Sequence, residues 1–176
     1  HGDEEDLLMP KKVEAFAGQR VIAVAAGINH SLALTAGGAV WSWGAGAWGR
    51  LGHGDGQNQL LPKKVEAFAG RRVIAVSAGA VHSLASTADG AVWSCGCGLC
   101  GRLGHGNQQN QLLPKKIEAF LARRVAAVSA GAVHSIAFTA AGAVFAWGKG
   151  EYGCLGHGED LSNQQLPKEI EGWASA

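Results

Sequence analysis

Charged side chains are scarce in this sequence, and the two signs nearly cancel. Lys and Arg number 15 and Asp and Glu number 14 among 176 residues, which leaves a formal charge of +1. A chain so close to neutrality lacks the strong field that draws proteins to nucleic acid or to anionic membrane surfaces. Its 47% of apolar residues is also unlike the composition of a disordered chain. The composition predicts a folded domain, and the charge identifies no partner.

Long apolar runs are missing, and cysteines are few and crowded. The longest runs, such as Val21–Ala26, are far shorter than the roughly 20 residues that cross a bilayer, so no membrane span is expected. Three of the four cysteines fall within six residues, at Cys95, Cys97 and Cys100, which is unlike the spread-out framework of a disulfide-rich secreted domain. This pattern favours a reducing intracellular compartment, the cytoplasm or the nucleus.

Glycine, by contrast, is abundant, and the sequence repeats. The chain has 27 glycines in 176 residues, against an average usage of about 7%, which predicts many tight turns. A step of 52 residues relates two sets of histidines: His30, His82 and His134, and His1, His53, His105 and His157. Prolines follow the same step, with one extra residue before the last: Pro10, Pro62, Pro114 and Pro167. When residues 53–104 are aligned with 105–156, 36 of the 52 positions are identical. A fixed period of this length predicts a repeat architecture.

Each repeat contains four runs with the composition of β-strands. In the first repeat these are Lys11–Phe16, Arg20–Ala25, Ser31–Thr35 and Ala39–Trp43. The runs are apolar at consecutive as well as alternate positions, which indicates that both faces of each small sheet are buried. We therefore predict an all-β fold made of β-propeller blades of four antiparallel strands. We expect one partial propeller domain over residues 1–176, with repeats at 1–52, 53–104 and 105–156, and a fourth repeat begun by 157–176.

Three segments of the second repeat carry a resemblance to a known family. Val73–Ala85, Asp89–Trp93 and Gly101–Gly106 resemble the regulator of chromosome condensation (RCC1-like) repeat, present here as three repeats and one extra strand. The resemblance implies a ring of seven blades, of which three would form an arc here. It also implies a non-enzymatic scaffold for protein–protein interaction that needs no cofactor and binds a protein of unknown identity. Nucleic acid or chromatin would be reached only indirectly.

An open arc exposes its terminal blades, which soluble proteins generally cover. We expect further blades or another subunit to cover these faces, so that the chain is a fragment of a longer polypeptide or a subunit of a larger complex. Two alternative functions follow from the resemblance. One is guanine-nucleotide exchange on a small GTPase, and the other is the repeat region of a large ubiquitin ligase.

Two recurring motifs look like sites but are interpreted as structural. The segments beginning at Gly44, Gly96 and Gly148 fit the dinucleotide-binding pattern GxGxxG, yet none leads into a helix that would hold a pyrophosphate. The His-Ser pairs beginning at His30 and His82 recur in every repeat, and adjacent strand residues point to opposite faces. We expect these imidazoles and hydroxyls to bond backbone at the strand entrance, and the histidines of Leu-Gly-His-Gly to hold turns.

The cysteines and tryptophans also have structural interpretations. Cys95, Cys97 and Cys100 are weak metal candidates, because three thiolates could meet a soft ion such as zinc, but no fourth ligand is evident. The aligned positions hold Trp43 and Trp147 or other large residues, which favours packing sites. The Gly-Trp-Arg-His-Thr motif of the family's light-sensing member is absent, since residues 27–31 read Gly-Ile-Asn-His-Ser.

Basic pairs recur and form the candidate partner-binding site. They are Lys63, Lys64, Arg71, Arg72, Lys115, Lys116, Arg123 and Arg124, and a propeller would arrange them as an arc that suits an acidic partner. Glu66 and Glu118 follow the lysine pairs closely and would weaken this field.

The glycines that precede the His-Ser pairs lead to a separate expectation. We expect substitution of Gly79 or Gly131 by valine to damage a blade, because we predict backbone angles there that a β-branched residue cannot adopt.

Overall fold

The computed structural model describes Gly2 and residues 7–172, and these residues form three antiparallel sheets of four strands each. His1, a member of the predicted histidine series, lies outside the described residues. The strands of the first sheet are β1 (Val21–Ala26), β2 (His30–Thr35), β3 (Val40–Gly44) and β4 (Gln59–Lys64). Those of the second are β5 (Val73–Ala78), β6 (His82–Thr87), β7 (Val92–Gly96) and β8 (Gln111–Lys116). Those of the third are β9 (Val125–Ala130), β10 (His134–Thr139), β11 (Val144–Gly148) and β12 (Gln164–Glu169).

The helical segments of the described part are single 3-10 turns. They are Glu14–Phe16, Ala47–Gly49, Glu66–Phe68, Leu99–Gly101, Glu118–Phe120 and Glu151–Gly153. Among the described residues, no helix has the length and apolar character to span a membrane. The secondary structure is therefore almost entirely strand and tight turn, which confirms the predicted all-β fold of four-stranded propeller blades.

Each blade takes its fourth strand from the next sequence repeat. β4 carries Pro62 and pairs with β3, so that Lys64 lies opposite Trp41. The prediction of a strand at Lys11–Phe16 is wrong, because these residues form an extended segment and a 3-10 turn. The copies around Pro62, Pro114 and Pro167 each complete a sheet, whereas the copy around Pro10 follows no third strand among the described residues. The division into repeats at 1–52, 53–104 and 105–156 stays a prediction.

The first strands of the three blades lie side by side. β1 contacts β5, and β5 contacts β9, so these strands form the inner edge and β4, β8 and β12 the outer edge. We call the end that carries the β1–β2 and β3–β4 connections and their equivalents the upper face. The opposite end, with the β2–β3 turns and the links between blades, is the lower face. All loops of one kind therefore project from one side of the molecule.

Two apolar clusters fill the spaces between adjacent blades. The cluster between the first and second blades is formed by Leu34, Val40, Val65, Phe68, Val73 and Ala85. The cluster between the second and third is formed by Leu84, Val92, Ile117, Phe120, Val125, Ala137, Phe145 and Trp147. The blades are stabilised mainly by burial of these side chains against each other.

Contacts that join the blades and the candidate interaction faces

A histidine at the start of the second strand bonds the next blade. The Nε2 atom of His30 lies 2.9 Å from the Oγ of Ser83, and Ser83 Oγ donates to the carbonyl oxygen of Arg50 at 2.7 Å. Because the hydroxyl proton goes to the carbonyl, the imidazole Nε2–H is the donor to Ser83. The same arrangement joins the second and third blades through His82, Ser135 and Arg102. Each of these imidazoles therefore links two sheets.

The polarity of these pairs is opposite to that of a catalytic dyad. A nucleophilic serine needs an unprotonated imidazole nitrogen facing its hydroxyl, whereas Nε2 is the donor here. Burial lowers the pKa of His82 to about 3, and the positive charge of Arg102 adds to this effect. Burial, followed by the charge of Arg50, lowers the pKa of His30 to about 4. Both imidazoles are neutral at pH 7. The expected backbone bond is made by the serine hydroxyl, while the imidazole bonds that hydroxyl across the blade interface.

The histidines of Leu-Gly-His-Gly hold the long upper loops. His53 Nε2 lies 3.0 Å from the Oγ of Ser42, which donates to the carbonyl oxygen of Leu51 at 2.7 Å. His105, Ser94 and Leu103 repeat this arrangement in the second blade. In the third blade Ala146 occupies the serine position, and the buried Nε2 of His157 has no hydrogen-bond partner among the described residues.

Restoring this serine is expected to stabilise the third blade. The change Ala146→Ser places a hydroxyl where Ser42 has one, so His157 Nε2 and the carbonyl of Leu155 both gain a partner. We expect the free energy of unfolding to rise by about 1 kcal/mol, measured by urea denaturation. Ala141→Ser, at an exposed position in the turn before β11 and away from His157, is the control. A loss of stability in Ala146→Ser would show that a hydroxyl at this position does not bond His157 as Ser42 bonds His53.

The glycine that precedes the His-Ser pair is required by close packing between blades. Gly79 and Gly131 do not lie in the left-handed region of φ, so a positive φ is not what requires glycine at these positions. Instead, a Cβ added at Gly79 would overlap the carbonyl oxygen of Gly131 and the Cε1 atom of His82. Gly27 approaches the carbonyl of Gly79 in the same way. These glycines let the inner ends of adjacent blades meet.

Even a methyl group at this position is expected to destabilise the protein. Gly79→Ala would push the inner edges of the second and third blades apart, at a cost of about 1–3 kcal/mol. Gly37→Ala is the matched control, because a Cβ there meets nothing within 4 Å. Equal urea midpoints for the two variants would contradict the steric explanation.

The GxGxxG segments lie in the upper loops, and in each segment one non-glycine residue has a strained, left-handed backbone conformation. Each forms a 3-10 turn with no following helix, and the central residues Trp48, Cys100 and Tyr152 all have φ of 61°. Left-handed backbone at aromatic residues carries a strain that the surrounding structure must maintain. Trp48 is 47% exposed and Tyr152 is 98% exposed. The upper face therefore presents large side chains from rigid turns.

Differences between the three repeats concentrate in these upper loops. Equivalent positions hold Ala45, Cys97 and Lys149; Ala47, Leu99 and Glu151; and Trp48, Cys100 and Tyr152. The basic pairs of the lower face, by contrast, are identical in the second and third repeats. The upper face is thus the part of the arc where each blade offers different chemistry.

The cysteines lie in packing positions. Cys95 and Cys97 are buried and Cys100 is half-buried, and the Sγ of Cys95 lies 3.7 Å from the carbonyl oxygen of Arg50. Burial raises the pKa of the Cys95 thiol to about 12, so it stays protonated, which disfavours metal ligation. Within residues 2 and 7–172, no group of three or more His, Cys, Asp or Glu side chains is gathered as a metal site.

The eight basic residues of the predicted partner site lie around the lower face, and we call them the basic rim. All are exposed except Lys116, which is half-buried. Several also make contacts within the chain. Lys64 Nζ is 3.5 Å from Glu66, and the guanidinium of Arg71 lies 4.8 Å from the ring centroid of Trp93. The rim is therefore positively charged but partly engaged in internal contacts.

Comparison with protein families finds a match along almost the whole chain. The model described as the regulator of chromosome condensation (RCC1) repeat matches residues 1–34, 37–86, 89–138 and 141–175. A second model of the same description matches residues 21–50, 73–102 and 125–154. Each match of the second model begins at an inner strand and ends in an upper loop.

Curated relatives share substantial identity but are longer. The chain is 41% identical over 174 residues to the E3 ubiquitin-protein ligase HERC2 of Mus musculus, covering 98% of this chain and 4% of that protein. It is 37% identical over 169 residues to the ultraviolet-B receptor UVR8 of Arabidopsis thaliana, covering 96% and 38%. The chain therefore spans less than half the length of these relatives.

Solved structures share the fold. Human WBSCR16 superposes with a TM-score of 0.79 at 29% identity, covering 89% of this chain and 41% of that one. Prp20p from Saccharomyces cerevisiae, a protein studied for its binding to Gsp1p and histones, superposes with a TM-score of 0.77 at 28% identity. That match covers 86% of this chain and 38% of Prp20p.

Proposed function

The chain belongs to the regulator of chromosome condensation (RCC1) repeat family, and on that premise we propose that it is a non-catalytic scaffold that binds a protein through its upper face. The proposal depends chiefly on one observation: the repeats differ most in the upper loops, where Trp48, Leu99 and Tyr152 are exposed. Rigid loops that carry different side chains are the usual means by which a repeated scaffold recognises a particular surface.

The positions of the reactive groups support a non-catalytic role. The His30 and His82 imidazoles and their serine partners are buried between blades and bonded to each other and to backbone. The Cys95 thiol is buried, and its raised pKa keeps it neutral. Groups used in this way stabilise the fold and are unavailable as nucleophiles or bases.

A comparison of two surface variants tests the proposal. The chain is used as bait in an extract of its source cells, and bound proteins are quantified by mass spectrometry. The upper-face variant carries Trp48→Asn, Leu99→Asn and Tyr152→Asn. Asparagine is chosen because it tolerates the left-handed backbone of residues 48 and 152. The matched lower-face variant carries Lys63→Glu, Lys64→Glu, Lys115→Glu and Lys116→Glu. Both variants are first checked for unchanged circular dichroism and melting temperature.

The two variants are expected to differ in binding. Loss of three exposed anchors should lower recovery of the specific partner by about tenfold, while the lower-face variant should retain it. Retention by both variants would contradict binding through either face. Loss of partner binding in the lower-face variant alone would show that the partner binds the basic rim instead.

The basic rim is the second candidate site, for an acidic partner. Its exposed cations repeat on one face, which would produce a field along the arc. Contacts such as Lys64 with Glu66 at 3.5 Å reduce this field, so we place the rim second. Binding through the rim would weaken steeply as salt rises from 50 to 300 mM, whereas binding through the upper face would change little.

Similarity to HERC2 favours a role within a larger protein or assembly. The 41% identity extends over 98% of this chain, so we propose that these blades can act as the repeat region of a ubiquitin ligase, with the ligase chemistry elsewhere. The mass of the native subunit checks this proposal. A subunit of 18.1 kDa with no ligase in its complex would contradict it.

Two other activities of relatives are less favoured. Exchange on a small GTPase follows from the family resemblance, and Prp20p, on which the chain superposes, was studied for its binding to Gsp1p. A nucleotide-release assay with a fluorescent GDP analogue would detect this activity. Light sensing is not proposed, because residues 27–31 and 79–83 lack the tryptophan and arginine of the family's light-sensing motif.

A further inference from the structure

An arginine covers an aromatic ring on the lower face of the second and third blades. Arg71 Cζ lies 4.8 Å from the ring centroid of Trp93, and Arg123 Cζ lies 4.7 Å from that of Phe145. The Nη1 of Arg71 also donates to the carbonyl oxygen of Ala67 at 3.3 Å. In both blades the guanidinium comes from the link that precedes the inner strand.

The first blade has the aromatic ring but lacks the arginine. Trp41 is the equivalent ring, and Phe16 packs edge-on against it at 5.7 Å, as Phe68 packs against Trp93 at 6.0 Å. The arginine position is occupied by Gln19, whose neutral amide cannot make a cation–π contact. Beside Trp41 lies an open pocket of about 360 Å³, lined by Gln19, Arg20, Thr35, Gly37, Trp41 and Lys64.

We propose that this pocket binds the guanidinium group of an arginine supplied by a partner protein. The incoming guanidinium would lie over the ring of Trp41 as the guanidinium of Arg71 lies over the ring of Trp93. The carbonyl oxygen of Ala15 would accept a hydrogen bond from the incoming group, as the equivalent carbonyl of Ala67 accepts one from Arg71. The site thus reproduces, with a group from another chain, a contact that the other two blades make internally.

Two neighbouring cations do not prevent this contact. Arg20 and Lys64 line the pocket, but Arg72 and Lys116 occupy the equivalent positions in the second blade, where Arg71 still stacks on Trp93. A single exposed cation–π contact is weak, so the pocket is an anchor for one residue within a wider interface.

A titration with a small cation tests the pocket directly. The ligand is acetyl-arginine amide, and the control ligand is acetyl-citrulline amide, which has nearly the same shape without the charge. Indole N–H resonances of the intact chain are followed by NMR. We expect a saturable shift of the Trp41 resonance with the arginine ligand and none with citrulline, while Trp93 stays unchanged.

Two matched variants complete the test. Gln19→Arg supplies the missing guanidinium, so it should weaken binding at Trp41 by roughly fivefold or more. Arg71→Gln should create a second responsive site at Trp93. No shift at Trp41, an equal shift with citrulline, a shift with acetyl-aspartate instead, or full binding by Gln19→Arg would each overturn the proposal.

That the arginine comes from a partner protein rests on the protein-binding role proposed above. The capacity of the Trp41 pocket to bind a guanidinium group does not. The titration reports only on the Trp41 pocket, whereas the comparison of surface variants reports on Trp48, Leu99 and Tyr152 on the opposite face. Failure of one experiment therefore leaves the result of the other intact.

Discussion

Acidification from pH 7 to pH 4 is expected to lower the free energy of unfolding of this protein, with the loss beginning near pH 6.5. The pKa is lowered by burial to about 4 in His30, to about 3 in His82 and to about 4 in His105. In the unfolded chain these imidazoles titrate near 6.5. Below that pH the unfolded state binds more protons than the folded state, so the free energy of unfolding falls as the pH falls. Each histidine contributes about 1.4 kcal/mol per pH unit until its folded pKa is reached.

Urea denaturation at half-unit steps from pH 7.5 to pH 4.5 measures this loss. Most carboxylates stay ionised above pH 5, so the slope between pH 6.5 and pH 5 reports mainly on the histidines. The variant His82→Gln removes one of these three imidazoles and should reduce the slope by about 1.4 kcal/mol per pH unit, whatever its stability at pH 7. A flat profile between pH 6.5 and pH 5 would show that the histidines titrate alike in both states.

Truncation of Trp147 is expected to cost more than truncation of the cysteine at the equivalent position. The Trp147 side chain is fully buried, and its ring centroid lies 5.8 Å from that of Phe120. A Cβ added at Gly104 would lie 2.8 Å from the indole nitrogen, so the loop of the preceding blade closes directly over the ring. Trp147→Ala would leave a large cavity between the second and third blades, at a cost of about 3–5 kcal/mol.

Cys95→Ala provides the matched control at the same place in the second blade. Cys95 already stands where the other blades have tryptophan, and a cavity of about 20 Å³ lies beside it and Phe68. Loss of one sulfur atom should therefore cost about 1 kcal/mol or less. Urea denaturation followed by circular dichroism gives both values. Similar costs for the two variants would show that Trp147 is not a principal packing element between the blades.

The periodicity of the sequence predicted the composition of each blade but not its phase along the chain. The strand runs recur every 52 residues, so any window of that length contains four strands. The structure adds that the strand around Pro62 completes the first sheet by pairing with β3. The predicted run Lys11–Phe16 also lies too late in the repeat, because the equivalent residues 63–68 hold only the last two residues of β4 before the 3-10 turn Glu66–Phe68.

The contacts between blades could be predicted only in part. The recurrence of His-Ser pairs indicated a structural role, because a catalytic site is rarely present once per repeat. Their actual partners, such as His30 and Ser83, are 53 residues apart and meet only when two sheets stand face to face. The constraint at Gly79 was predicted to lie in the glycine's own backbone angles, whereas in the structure a Cβ there would meet the carbonyl of a neighbouring blade.

The most direct test concerns the protonation of the buried imidazoles, since the non-catalytic role proposed for the chain is supported by histidines that join blades as neutral hydrogen-bond donors. Long-range ¹H–¹⁵N NMR spectra at pH 5.5 report which imidazole nitrogen carries the proton. We expect His30 and His82 to be neutral at this pH, with the proton on Nε2 facing the serines. Neutral rings with the proton on Nδ1 would contradict this expectation, because Nε2 could then accept the serine proton as a catalytic base does. Imidazolium ions would contradict it too, because they would show that burial does not lower the pKa of these histidines.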